Sequence, residues 1–159
     1  MPSVGDGQFG STAEKRTFFM TDAELMRLAA KAREKSYSPY SGFSVGAALL
    51  GASGKVYSGC NIENASYSPT ICAERTAFAK AISEGETSFS AIAIVGGKGE
   101  ELRVCAPCGV CRQVMREFCR DDFVLLLGVP DNFRRYMLAQ LLPLSFGAAD
   151  LQFGEEKTT

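Results

Sequence analysis

The chain has 159 residues, 46% of them hydrophobic and 22% charged, with a formal net charge of −1. This length suits one domain with its own core, and the near-neutral charge argues against a nucleic-acid polyanion as partner. No apolar run approaches the roughly 20 residues of a membrane-spanning helix. The first 17 residues are polar and lack the apolar stretch of a secretory signal, so the expected compartment is the cytosol. Histidine is absent. That excludes Ser–His and Cys–His nucleophile pairs and any imidazole metal ligand. Six cysteines are present: Cys60, Cys72, Cys105, Cys108, Cys111 and Cys119. In a cytosolic protein of this size they are expected as metal ligands or free thiols rather than disulfides. Any bound metal must then be held by thiolates, with carboxylates as the alternative.

Residues 1–17 read as a flexible leader, 18–153 as a single domain and 154–159 as a tail. A helix is expected to start at Thr21, where Thr21 and Glu24 have the spacing of a capping box. Leu25, Leu28, Ala29 and Ala32 give it one apolar face. Residues 36–42 break it. Two strands, Val45–Leu50 and Val56–Ile62, flank the short Gly-containing loop 51–55. After a loop over 63–71, a second helix is expected over Cys72–Glu84, with Gly85 as its stop. Ala91–Val95 is wholly apolar, as in a central strand buried on both faces. A third helix is expected over Cys108–Arg120 and a further strand over Phe123–Val129. Met137–Leu142 reads as a short helix, and 144–159 as a partly ordered tail. Strands alternating with helices after an opening hairpin predict an α/β fold, a mixed sheet with helices on both faces.

The chemistry gathers at two helix starts. Cys72 and Glu74 stand at the mouth of the second helix, Cys108 and Cys111 at the mouth of the third. Cysteines three apart share a helix face and can share one ion. A third cysteine makes three protein ligands, which leaves a tetrahedral zinc one open position for water, the mark of a catalytic rather than a structural site. Three thiolates make the centre anionic, and two helix N-termini would partly offset that charge and favour deprotonated thiols. Arg75 is expected to add a supporting positive charge behind the ligands. Glu74, two residues from a ligand in the first turn, is placed to take and return protons. Cys60, Cys105 and Cys119 are expected as free thiols; Cys105, three before Cys108, is the one competing ligand and is set aside because it precedes the helix start.

The segments Cys60-Asn-Ile-Glu-Asn-Ala65, Ile71-Cys-Ala-Glu-Arg-Thr-Ala77 and Pro107-Cys-Gly-Val-Cys-Arg-Gln-Val-Met-Arg-Glu117 resemble the cytidine deaminases, in particular the short, homotetrameric, three-cysteine type. The similarity runs from about Tyr37 to Phe146. Zinc deaminases pair a non-ligand glutamate with a Pro-Cys-x-x-Cys element; the usual His-x-Glu is Cys-x-Glu in this chain. The resemblance implies a three-layer α/β/α fold with a mixed five-stranded sheet and one zinc ion per subunit. It implies hydrolytic deamination of cytidine and deoxycytidine in pyrimidine salvage, by attack of an activated water on C4 of the base. Glu74 would protonate the ring nitrogen and then the departing ammonia. Asn61 and Glu63 would bind the ribose, Phe43 would pack on the base, and backbone groups near Ala73 would read the base edge. Phe146 would reach a neighbouring subunit's pocket. Two segments depart from the family pattern, residues 131–137 and the loop 66–70.

Three other functions compete. A deaminase of another aminopyrimidine or of an aminonucleoside antibiotic is countered by Asn61 and Glu63, which fit a ribose. A polynucleotide editor lacks a visible basic strip. A purely structural zinc module leaves Glu74 without a task.

Overall fold

Residues 20–151 are described by the computed structural model of the chain. The expected leader, the tail 154–159 and the expected domain limits at 18 and 153 lie outside the described residues. Helix α1 (Asp22–Arg33) begins as expected: Thr21 and Glu24 close a reciprocal capping box, the Thr21 hydroxyl accepting from the Glu24 amide at 3.2 Å and the Thr21 amide donating to the Glu24 carboxylate at 2.8 Å. Strands β1 (Phe43–Gly51) and β2 (Val56–Cys60) form the hairpin. Helix α2 (Ala73–Ser83), strand β3 (Phe89–Lys98), helix α3 (Gly109–Phe118) and strand β4 (Val124–Val129) follow. Strand β5 (Asn132–Met137), the single-turn helix α4 (Leu138–Leu141) and a 3₁₀ turn (Ala148–Leu151) complete the described chain.

The sheet order is β2-β1-β3-β4-β5. β1 runs antiparallel to both β2 and β3, β3 and β4 are parallel, and β5 returns antiparallel to β4. Side chains alternate across the sheet and serve two cores. Ala48, Ala93 and Leu126 face Leu25, Met26 and Ala29 of α1. Ala47, Leu49, Ile92, Ile94, Leu125 and Leu127 face α2 and α3 through Ala77, Phe78 and Met115. Burying each large apolar chain of this kind stabilises by roughly 1.5–3 kcal/mol. Phe78 joins its layer with edge and stacked contacts to Phe89 and Phe118 at ring centroid distances of 4.9 and 6.1 Å. The expected three layers and mixed five-stranded sheet are present.

Two glycines set how closely the helices lie on the sheet. A Cβ at Gly46 would stand 2.1 Å from the Ala29 carbonyl oxygen, so α1 rests directly on β1. A Cβ at Gly59 would stand 2.3 Å from the Ala73 carbonyl oxygen, so the first turn of α2 rests directly on β2.

Several limits differ from expectation. β1 starts two residues earlier than Val45, and β3 extends well beyond Ala91–Val95. β2 ends at Cys60; Ile62 instead makes isolated bridges to Tyr37 and Ile71, tying both ends of the following loop together. β4 begins at Val124, and α3 ends at Phe118, short of Arg120. The position of the fifth strand was not readable: residues 132–137 form it, and the helix after it is four residues long. Phe133 packs into the α1-side core, whereas Tyr136 packs into the other. One aromatic on each face of an edge strand leaves no period-2 pattern.

Candidate functional site

Helices α2 and α3 each start with a cysteine as the capping residue. Cys72 caps α2 in extended conformation with no side-chain hydrogen bond to the helix, which leaves its sulfur for other work. Cys108 caps α3, its Sγ accepting from the Cys111 amide at 3.4 Å. Both residues were expected inside the helices; each lies one position before the first helical residue, with an extended backbone. The Cys72 and Cys108 sulfurs are 3.8 Å apart and those of Cys108 and Cys111 3.5 Å. All three lie within 4.8 Å of one another. A tetrahedral zinc with Zn–S bonds of about 2.3 Å has its vertices about 3.8 Å apart. The three thiols therefore fit the corners of one such ion, and the donor set is the soft one zinc accepts.

Arg75 stands behind the sulfurs. Its Nη2 donates to the Thr70 carbonyl at 2.9 Å and lies 3.9 Å from the Cys72 sulfur, while its buried Nε has no partner among the described residues. A guanidinium with donors to spare suits an anionic thiolate cluster. The Cys72 thiol is drawn down to about 5 by its hydrogen bond with Cys111 and then by Arg75 and Cys108, against the opposing effect of burial. The same hydrogen bond, with burial, pushes Cys111 upward. Cys105 remains outside the cluster; burial pushes its thiol up to about 11.

Glu74 sits in the first turn of α2 at 3% exposure. Burial pushes its carboxyl up to about 7; a backbone hydrogen bond and the Cys111 thiol pull in the other direction. The structure thus brings Cys72, Glu74, Arg75, Cys108 and Cys111 together at two neighbouring helix starts, with Cys111 in the core and Cys108 at the surface.

Of the residues expected at the sugar and the base, Asn61 and Glu63 follow β2, Phe43 opens β1 and Ala73 opens α2. The Glu63 carboxylate accepts from the Tyr40 and Ser41 amides at 2.9 and 3.2 Å and from the Ser41 hydroxyl. It borders an open hollow of about 380 Å³ together with Tyr40, Tyr67 and Thr70. Asn61 is tied to the chain itself. Its Oδ1 accepts from Ser36 Oγ at 2.5 Å and from the Val45 amide at 2.8 Å, and its Nδ2 donates to the Phe43 carbonyl at 2.9 Å. It therefore clamps the start of β1, with one amide hydrogen left over. The Phe43 ring lies against Gly96, as does the Cβ of Cys105. Ala73 is fully buried at the head of α2. Phe146 is 58% exposed, its carbonyl accepting from Gln113 Nε2 at 2.9 Å. A larger hollow of about 730 Å³ lies on the α1 side, and none of the expected site residues lines it.

Two supporting arginines escaped the sequence reading. Arg112 donates to the Pro107 and Leu141 carbonyls, both at 2.8 Å, and so fixes the approach to α3. Arg33 is buried at the end of α1. The signal for Arg33 was present: it continues the Leu25–Ala29 stripe at four-residue spacing, a charge where the pattern calls for an apolar side chain.

Residues 20–127 match the family described as the cytidine and deoxycytidylate deaminase zinc-binding region. Among curated proteins, the chain is 47% identical over 135 residues to a cytidine deaminase of Sporosarcina psychrophila, covering 84% of this chain and 97% of that protein. It is 43% identical to a probable cytidine deaminase of Dictyostelium discoideum, covering 77% and 82%. Among solved structures, the cytidine deaminase of Burkholderia pseudomallei superposes with a TM-score of 0.74 at 45% identity, covering 80% of this chain and 100% of that one. The cytidine deaminase of Mycobacterium tuberculosis gives 0.68 at 40% identity, covering 80% and 99%. With its sulfur cluster, its fold and these similarities in agreement, the chain belongs to the cytidine and deoxycytidylate deaminase family.

Proposed function

We propose that this chain hydrolyses cytidine and deoxycytidine to uridine and deoxyuridine with release of ammonia, in pyrimidine salvage. The observation that carries the reading is a carboxylate, Glu74, buried in the first turn of the helix that Cys72 caps, where Cys72 joins two further sulfurs at the spacing of a single zinc ion. Cys72, Cys108 and Cys111 would hold that ion, one per subunit. Bound zinc supplies an electrophilic centre that makes water acidic enough to attack near neutral pH. Glu74 takes a proton from the attacking water and delivers it to the ring nitrogen. It carries a second proton to the amine as the C4–N bond breaks. One water is consumed and one ammonia leaves. Arg75 holds Cys72 in place and spreads the negative charge of the thiolates.

Glu63, at the rim of its hollow, and the free amide hydrogen of Asn61 would meet the ribose hydroxyls. Phe43 would pack on the base, and backbone groups near Ala73 would read its edge. The exposed Phe146, next to an exposed Leu144, suits a partner in a homotetramer, where it would reach a neighbouring subunit's pocket. Residues 18–153 would form the catalytic domain, acting in the cytoplasm. No helix among the described residues is long and apolar enough to cross a membrane.

The test is the near-ultraviolet absorbance of cytidine mixed with zinc-loaded protein, beside a Glu74→Gln variant of equal zinc content. A steady fall is expected with the parent, and a rate lower by roughly 10²–10⁴ with the variant. No change with the parent would overturn the reading. A sizing measurement that finds a monomer at working concentration would remove the tetramer and the role of Phe146.

A further inference from the structure

We infer that Arg33 is a positioning residue for the nucleoside site, its buried guanidinium fixing the start of β1, which carries Phe43, against the turn from which the chain runs to Cys108. The inference rests on the cytidine reading for its substrate and on the following geometry for its mechanism.

Arg33 is 7% exposed. Its Nε donates to the Ser44 carbonyl at 3.1 Å, one residue after Phe43. Its Nη2 donates to the Gly99 carbonyl at 2.7 Å and reaches the Glu101 carbonyl at 3.4 Å. A guanidinium presents these donors in a rigid planar fork, so it holds the two backbone stretches at one spacing. Burying such a group is costly unless its donors are met; packing alone would be served by a leucine.

The stretches that Arg33 joins both lead to the site. Beyond Glu101 the chain returns to β3, where Arg103 exchanges backbone hydrogen bonds with Gly96 at 2.7 and 3.2 Å. It then passes Cys105 and reaches Pro107 and Cys108. A Cβ at Gly96 would stand 2.9 Å from two ring carbons of Phe43 and 2.7 Å from the Cys105 Cβ. The Phe43 ring, β3 and the approach to Cys108 thus meet at Gly96 with no room for adjustment. Gly97 is equally confined: its φ is +152° and a Cβ there would lie 1.8 Å from the Glu101 carbonyl oxygen. With both glycines filled by close contacts, a slip of the 99–101 turn must move the ring of Phe43 or the approach to Cys108. The hydrogen bonds of Arg33 go to the Ser44, Gly99 and Glu101 carbonyls and not to the sulfurs or Glu74, so its effect should fall on substrate placement rather than on the metal.

The test compares the zinc-loaded parent with Arg33→Met and with Arg33→Lys, which keeps charge and stem but loses the fork. Zinc per chain, steady-state kinetics on cytidine and amide hydrogen exchange are measured on each. Expected are unchanged zinc, a KM raised ~10-fold with a smaller fall in kcat, and partial recovery in the lysine variant. Exchange should quicken only in residues 43–45 and 97–105. If Arg33→Met does not fold, Arg33→Lys carries the same expectation in milder form. An unchanged KM with activity lost in step with folded protein, or exchange raised evenly across the sheet, would overturn the inference. A parent inactive on cytidine would instead sink the deamination reading, and the exchange pattern would still decide whether Arg33 ties the two stretches.

Discussion

Gly59 of β2 and Ala73 of α2 are in direct contact, with 2.3 Å between the Ala73 carbonyl oxygen and the place a Gly59 methyl would occupy. The same methyl would stand 2.5 Å from the Ala77 amide nitrogen. Cys72 is the residue immediately before this contact, so the seat of the helix is also the seat of a ligand. A Gly59→Ala variant is expected to lose about 1–3 kcal/mol of stability and to retain less zinc. Urea unfolding and zinc per chain after gel filtration check the two effects.

The sulfur geometry separates ligands from bystanders. Serine at Cys72, Cys108 or Cys111 should weaken zinc binding by more than the roughly 10–100-fold that loss of a supporting group costs. Cys105→Ser should bind zinc like the parent, because that thiol stands outside the cluster. Titration against a coloured chelator distinguishes them; a Cys105→Ser protein that sheds its zinc would remove Cys105 from the list of bystanders.

Arg75 bridges the Thr70 carbonyl and the Cys72 sulfur. Arg75→Ala should lower zinc affinity by roughly 10–100-fold, with Arg75→Lys intermediate, since a point charge restores attraction without the fork. Equal affinity in all three proteins would leave Arg75 with only its loop contact.

The Glu63 carboxyl is held below its ordinary range by hydrogen bonds from the Ser41 hydroxyl and the Tyr40 and Ser41 amides. A depressed folded value means the stabilisation is present in full above the unfolded value and fades as pH falls through the folded one. The stability gap between parent and Glu63→Gln should therefore be widest above about pH 5 and close in acid. Unfolding curves across pH measure it, and a gap that grows in acid would reverse the assignment.

Legibility in the sequence followed how local each signal was. The capping box of α1 needs only Thr21 and Glu24, and it was read correctly. The paired cysteines of α3 needed only their spacing. The clamp of Asn61 is harder to read, because it joins Ser36, Phe43 and Val45, which only the fold brings together. β5 was missed because Phe133 and Tyr136 serve opposite cores. The capping positions of Cys72 and Cys108 are a matter of one residue, yet they decide where each sulfur points. Cys72 and Glu74 do not share a helix face; they come together because one caps the helix and the other lies in its first turn.

Cys111 is 1% exposed and belongs to the same apolar cluster as Met115, Phe78 and Leu125. The metal corner is therefore a wall of the interior rather than an attachment to it. An ion that binds only the folded chain stabilises it by mass action, and whatever loosens that interior should loosen the ion in turn. A truncation such as Met115→Ala, one turn along α3 from Cys111, would then register as faster zinc release. In this protein the lifetime of the ion is a gauge of how well the hydrophobic interior is put together.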